Sequence, residues 1–167
     1  MKNALINYIK NGVNDELYTP DIAIYPLLEY IDKSLVVWEC TDFGESNITK
    51  IFKNNGNKVI STHINNFNFL TDTPDFEFDI IITNPPYSLK NEFIRKCFEY
   101  NKPFCLLLPL TALEGVERGV MYRKYGIEVL VLDKRINYMN NKKSNWFNTS
   151  WFCHNVLNDR LVFKEVK

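Results

Sequence analysis

The chain has no net charge: 20 lysines and arginines balance 20 aspartates and glutamates over 167 residues. A protein that held nucleic acid across its whole surface would carry a basic excess to neutralise phosphates. Any such contact must come from a local patch, and its unaided affinity is expected to be modest. Metal-ligand spacing is missing too. Cys40, Cys97, Cys105 and Cys153 contain no C-x-x-C pair, and His63 and His154 share no ligand spacing with them. Reduced core thiols and no metal are the expectation. No apolar run, Phe104–Leu108 included, approaches the ~20 residues of a membrane span. No signal peptide stands at the start, and no repeat, low-complexity tract or Gly/Ser linker interrupts the chain. These absences lead to the expectation of a soluble, cytoplasmic, single domain over 1–167 with room for a sizeable core.

What is present is ordinary in bulk, 46% hydrophobic and 24% charged, but aromatic residues reach 14%. They fit a dense core, base-stacking surfaces, or both. Periodicity predicts a helix over Asp21 to Ile31 with Ile22, Ile24, Leu27, Leu28 and Ile31 on its apolar face, interrupted or restarted at Pro26. Leu35 to Cys40 and Lys58 to Ile64 read as strands. Between them a helix over Asn47 to Asn54 ends at Asn55-Gly56. Phe78 to Thr83 is a continuous β-branched run, the mark of a strand covered on both faces. A helix over Leu89 to Tyr100 and strands at Phe104 to Leu108 and Ile127 to Leu132 follow. Thr149 to Val156 and Leu161 to Val166 read as a closing pair. The alternation predicts an α/β, open, doubly wound sheet, mostly parallel with an antiparallel C-terminal edge. The site of such a fold lies at the carboxyl ends of its strands.

One stretch lies there, Asp79 to Tyr87, "DIIITNPPY". A buried strand ends in two prolines that cannot continue it. They fix their own φ and push Asn84 out of the α region, so the tip is rigid. Rigid acceptors suit an unreactive amine such as the exocyclic nitrogen of adenine, whose lone pair is delocalised into the ring. The Asn84 side-chain oxygen and the Pro85 carbonyl would hold its two hydrogens and favour a tetrahedral nitrogen. Pro86 keeps the turn stiff, and Tyr87 would stack on a flipped base. No strong general base is needed, because the proton leaves after the nitrogen has become cationic.

N-P-P-Y after D-I-I-I-T and before a helix resembles the catalytic motif of S-adenosylmethionine-dependent amino-methyltransferases, which modify adenine N6, cytosine N4 or a glutamine amide. "ELYTP", Glu16 to Pro20, resembles the segment that holds the methionine end of the cofactor in one subgroup, with Tyr18 and Thr19 as candidates. "LLLPLTALEG" and "LDKRINY" are likewise similar to a divergent phage or prophage group. From Asp15 to about Leu157 the arrangement is similar to short, phage-type DNA N6-adenine methyltransferases. The resemblance implies a Rossmann-like methyltransferase sheet, S-adenosylmethionine as cofactor, and DNA rather than RNA as partner. It also implies a host cytoplasm as location and no separate target-recognition domain.

The cofactor residues depart from the family's pattern. In "VVWECTDFGESNITKIF" the acidic residue and glycine turn are represented by Glu39, Asp42 and Gly44, but Ser46 stands where a second glycine is usual. Close backbone approach is harder without it. After the second strand comes Ser61-Thr62-His63, so His63 occupies the region of the usual ribose-binding carboxylate. Asn68-Phe69-Leu70 stands for the usual Asp-Phe-Leu, and Asn68 still accepts through its carbonyl oxygen.

For nucleic acid, Lys134 to Trp151 combines Lys134, Arg135, Lys142 and Lys143 with Trp146 and Phe147, a basic and aromatic mixture suited to backbone attraction and base stacking. The opposing reading is a solvated loop whose aromatics close the core. Arg118, Arg123 and Lys124 read as a solvated helix face. Two rivals to DNA methylation stay open. One is a non-catalytic binding or regulatory protein on the same fold; the other is an RNA or protein-glutamine methyltransferase. A homodimer or a partner subunit would supply the second clamp that a minimal domain lacks.

Overall fold

The computed structural model describes residues 19–137 and 148–166. Its helices there are α1 (Asp21–Leu28), α2 (Asn47–Asn55), α3 (Lys90–Tyr100) and α4 (Val116–Tyr125). The strands are β1 (Val37–Glu39), β2 (Val59–Ser61), β3 (Ile80–Thr83), β4 (Phe104–Pro109), β5 (Glu128–Leu132), β6 (Thr149–His154) and β7 (Leu161–Lys164). They form one sheet in the order β2-β1-β3-β4-β6-β5-β7. The pairs β2–β1, β1–β3, β3–β4 and β5–β7 are parallel, while β6 runs antiparallel to both β4 and β5.

The α/β, mostly parallel sheet is therefore the predicted one, with its antiparallel pairings in the C-terminal part. The detail differs from the expected closing pair. Strands β6 and β7 do not pair with each other; β5 lies between them. The crossover through α4 leaves a one-strand gap between β4 and β5, and β6 fills it from the other direction. Its six residues pair with β4 from Phe104↔His154 to Pro109↔Thr149.

Alternate residues of each apolar strand go to opposite faces. Ile80, Ile82, Cys105 and Leu107 meet α1 and α2 through Ile24, Leu27, Ile48 and Phe52. Ile81, Phe104, Leu106 and Leu108 meet α3 and α4 through Phe93, Ile94, Phe98 and Met121. Both layers are built of buried apolar side chains, and each large one contributes about 1.5–3 kcal/mol. All four cysteines are buried thiols, and Cys105 and Cys153 face each other across β4 and β6.

Helix α1 ends at Leu28, a turn before the expected Ile31. Its buried residues are Ala23, Ile24, Pro26 and Leu27, and Ile22 is instead exposed. Pro26 takes an interior position, where it withholds one backbone donor and shortens the run. Helix α2 is capped at its start by Ser46, whose side chain accepts from Thr49 N, and at its end by Gly56 in the left-handed region. Among the described residues no helix is long and apolar enough to cross a membrane.

The high aromatic content is largely structural. Trp38 on β1 has Phe67, Phe69, Phe76, Phe78 and Tyr100 around it at centroid distances of 4.7–5.7 Å. These rings fill the stretch between β2 and β3, which has neither helix nor strand. The indole N–H of Trp38 donates to Thr62 Oγ1 at 2.9 Å, so the only polar atom of that ring is satisfied.

Candidate active site

Strands β1 and β3 are parallel neighbours, so their carboxyl ends open on the same side of the sheet. After β3, Asn84, Pro85 and Pro86 form an extended tip, and Tyr87 starts a short 3-10 turn, Tyr87–Leu89, that leads into α3. Pro85 is buried, while Asn84, Pro86 and Tyr87 are half-buried. The side-chain amide of Asn84 donates from Nδ2 to Thr19 Oγ1 at 3.1 Å, across 65 residues of chain. The backbone carbonyl of Thr19 in turn accepts from Asn47 Nδ2 at 2.9 Å. Thr19 itself is 5% exposed. Two segments that the sequence suggested separately, T-P and N-P-P-Y, are thereby in direct contact.

Below the turn that follows β1 lies Glu39, 1% exposed. Its Oε1 accepts from Thr83 Oγ1 at 2.5 Å and from the backbone N–H and hydroxyl of Thr41, each at 3.0 Å. Among the described residues none donates to the other carboxylate oxygen. Burial pushes the Glu39 carboxyl up to about 7, with hydrogen bonds from Thr83 and Thr41 opposing the rise and the charge of Asp42 adding to it.

Asp42 behaves differently. Its Oδ1 accepts from the backbone N–H groups of Glu45 and Ser46 at 3.2 and 3.0 Å, and its Oδ2 from Thr49 Oγ1 at 2.7 Å. Thr49 Oγ1 also lies 3.0 Å from Ser61 Oγ on β2. Burial raises the Asp42 carboxyl, but the hydrogen bonds from Thr49, Ser46, Glu45 and Gly44 outweigh it and hold it below the ordinary aspartate value. The carboxylate thus sits where the start of α2 would attract an anion. Gly44 crosses this turn at φ +102°, and a Cβ there would meet only Ser61 Cβ, at 3.9 Å. The backbone of the turn is therefore open to a ligand beside Gly44, although Ser46 replaces the second glycine. Ser46 has another use, as the cap of α2.

His63 closes the turn after β2. Its Nδ1 accepts from Asn65 N at 3.3 Å, and the exposed ring of Phe43 stacks on it at 3.7 Å and 29°. Asn68 Oδ1 accepts from Leu70 N at 3.1 Å, which ties it into its own turn. Phe69, expected at the cofactor, is 2% exposed and stacks on Phe93 at 4.9 Å beside Trp38. It anchors the Asn68 turn from the core side. Lys134 donates to the Val166 carbonyl, and Arg135 Nε donates to Asn148 Oδ1 at 2.8 Å. Tyr18, Lys142, Lys143, Trp146 and Phe147 lie outside the described residues. Arg118 is no solvated face residue: it donates to the carbonyls of Ala112 and Glu114 and to Asn91 Oδ1, pinning the loop after β4 to α3. Arg123 and Lys124 are exposed, as expected.

Thr41, Thr83, Asn47 and Thr49 were not singled out from the sequence. The one available signal was a threonine ending an otherwise aliphatic strand, Thr83, because a fully buried hydroxyl needs a partner.

No family model and no curated protein matches the sequence. Solved structures do match its fold. Over 99% of its length the chain is similar to a protein from Vibrio vulnificus YJ016 described as the modification subunit of a type I restriction enzyme, with TM-score 0.55 and 9% identity. It covers 50% of that protein, so the chain spans about half its length. Again over 99% of its length it is similar to a protein from Listeria monocytogenes described as a class I S-adenosylmethionine-dependent methyltransferase, with TM-score 0.56, 11% identity and 71% of that chain covered. The chain shares the Rossmann-like α/β fold of these two proteins.

Proposed function

We propose that the protein transfers a methyl group from S-adenosylmethionine to the N6 amine of adenine in DNA. The observation that carries this reading is the placement of N-P-P-Y at the carboxyl end of β3, one strand from the glycine turn after β1, with Asn84 bonded to Thr19.

The cofactor side supports it. With the Asp42 carboxylate held by the Glu45 and Ser46 N–H groups just before α2, that helix start repels a pyrophosphate, which argues against a dinucleotide. S-adenosylmethionine has no phosphate; it carries an ammonium and a sulfonium. The second oxygen of the buried Glu39 carboxylate suits such a cation, and the open space beside Gly44 admits a ligand close to the backbone. Asn68 and His63 complete the candidate rim. When bound, S-adenosylmethionine supplies an electrophilic methyl group.

The remaining work falls to the tip of β3. Asn84 Oδ1 and the Pro85 carbonyl accept the two hydrogens of the adenine amine, which favours a tetrahedral nitrogen with an available lone pair. The prolines keep both acceptors in place, so little reorganisation accompanies the reaction. Tyr87 stacks on the base outside its duplex. The proton is lost from a nitrogen that has already become cationic, so a weak acceptor suffices. Lys134 and Arg135, which follow β5, and residues 138–147 after them in sequence are the candidate nucleic-acid contacts. That the Vibrio protein is described as a modification subunit of a restriction enzyme favours DNA.

A second reading, a binding or regulatory protein on this fold, draws on the Asp42 network, which satisfies the cofactor turn internally, and on the lack of a carboxylate after β2. Radiolabelled methyl transfer to DNA, to RNA and to a glutamine-bearing peptide tests both, beside calorimetric titration with S-adenosylmethionine. The expected result is incorporation into DNA that Asn84→Ala lowers by at least about 10²-fold, the usual worth of a positioned polar group at a reacting centre. Label in RNA or peptide alone would change the substrate class. No cofactor binding by the folded protein would favour the second reading.

A further inference from the structure

We infer that Thr19 is a positioning residue for the Asn84 amide, acting through a bracket that reaches from α2 to the tip of β3; the inference rests on the amine-binding role of Asn84. A side-chain amide has two ends of nearly equal shape and opposite polarity. Only the oxygen end attracts the hydrogens of an amine, whereas the NH₂ end opposes them with its own. The Nδ2 of Asn84 donates to Thr19 Oγ1 at 3.1 Å, so the amide's donor end is turned to Thr19 and its oxygen end points the other way.

Thr19 is suited to hold it. Its own carbonyl is held by Asn47 Nδ2 at 2.9 Å, Pro20 fixes the backbone that follows, and the residue is 5% exposed. A β-branched side chain there has little rotamer freedom, so the hydroxyl is presented from a fixed point. Asn84 is constrained from its other side by Pro85. Asn47 is the first residue of α2, directly after the Ser46 that replaces the second glycine. The cap and the bracket are thus adjacent consequences of one local sequence, S-N, at the turn beside the candidate cofactor space.

The test compares Thr19→Val, which keeps the shape and removes the hydroxyl, with Thr19→Ser, which keeps the hydroxyl. Methyl-transfer rate, cofactor affinity and the Asn84 side-chain ¹⁵N–¹H signals are measured on each folded protein, with Asn84→Ala to assign those signals. Thr19→Val is expected to lower kcat by about 10²-fold, the scale of a small misplacement at a reacting centre, with cofactor Kd changed by less than about threefold. Thr19→Ser should recover most of the rate. The Asn84 amide signals should move in Thr19→Val and not in Thr19→Ser. A rate that Thr19→Val leaves intact overturns the inference, and so does a loss confined to cofactor affinity, which would make Thr19 a ligand instead. If the unaltered protein transfers no methyl group, the functional reading fails. Amide signals unmoved by Thr19→Val then overturn the bracket separately.

Discussion

At the tip of β3, Asn84 is held by a residue from a distant segment, Thr19, whereas at the tip of β1, Asp42 is held by the turn and helix that follow it, through Glu45, Ser46 and Thr49. The two sites stand one strand apart and face the same end of the sheet. One is joined to a distant segment; the other spends its acceptors on the residues that directly follow it. The difference teaches that a site residue cannot be assigned by position alone. A carboxylate beside a glycine turn is a ligand only if the turn has not already claimed its oxygens, and Asp42 is claimed while Glu39 is claimed on one oxygen.

The contrast breaks first at Asp42. Asp42→Ala strips the partner from two backbone N–H groups and one buried hydroxyl, and a hydrogen bond to a charged group contributes about 1.5–3 kcal/mol net, part of which water entering the emptied site restores. A loss of about 3 kcal/mol in urea denaturation is expected; a loss within about 0.5 kcal/mol would mean that the network is ornamental. Glu39 sharpens the contrast through pH. Its carboxyl titrates near its ordinary 4.5 in the unfolded chain and at about 7 in the folded one. Between those values the folded protein keeps a proton that the unfolded chain has released, so stability falls as pH rises through the window and levels off above it. The fall is on the order of 3 kcal/mol, and Glu39→Gln should remove it; an unchanged slope in that variant would assign the titration elsewhere. Asp42, held below its ordinary value, acts in the opposite sense. Its contribution is present above about 4 and lost as pH falls below that, so the two windows separate. The smallest effect belongs to Ser46→Gly. Glycine is itself an acceptable cap, so only a few tenths of a kcal/mol should be lost. Calorimetry would then show tighter binding of S-adenosylmethionine if the serine restricts backbone approach, and equal binding if it does not.

Most of the architecture was legible from periodicity. The β-branched run Ile80–Thr83 and the apolar Phe104–Leu108 announced strands covered on both faces, and Asn55-Gly56 announced the end of α2. The rigid N-P-P-Y tip was readable because proline limits the backbone wherever it occurs. Less legible were the partners. Phe69 was expected at the cofactor from its place beside Asn68, yet it packs between Trp38 and Phe93, because the ring cluster replaces regular structure between β2 and β3. Arg118 carried the signal of a solvated face, yet it ties a loop to α3, since its guanidinium reaches carbonyls that no nearby pattern reveals. The place of β6 between β4 and β5 was also hidden, because pairing order depends on which gap a crossover leaves open.

By itself the sequence determined what local chemistry dictates: which segments extend or coil, where the chain must turn, and that an amide and a carbonyl stand rigidly at a strand's end. Only the tertiary structure decided which polar atoms remain available. Hydrogen bonds such as Asn84 to Thr19 and Glu39 to Thr83 join residues 65 and 44 positions apart, and no spacing rule reaches that far. For Glu39, the distant Thr83 hydroxyl takes a share of one carboxylate oxygen, since each oxygen has room for few partners.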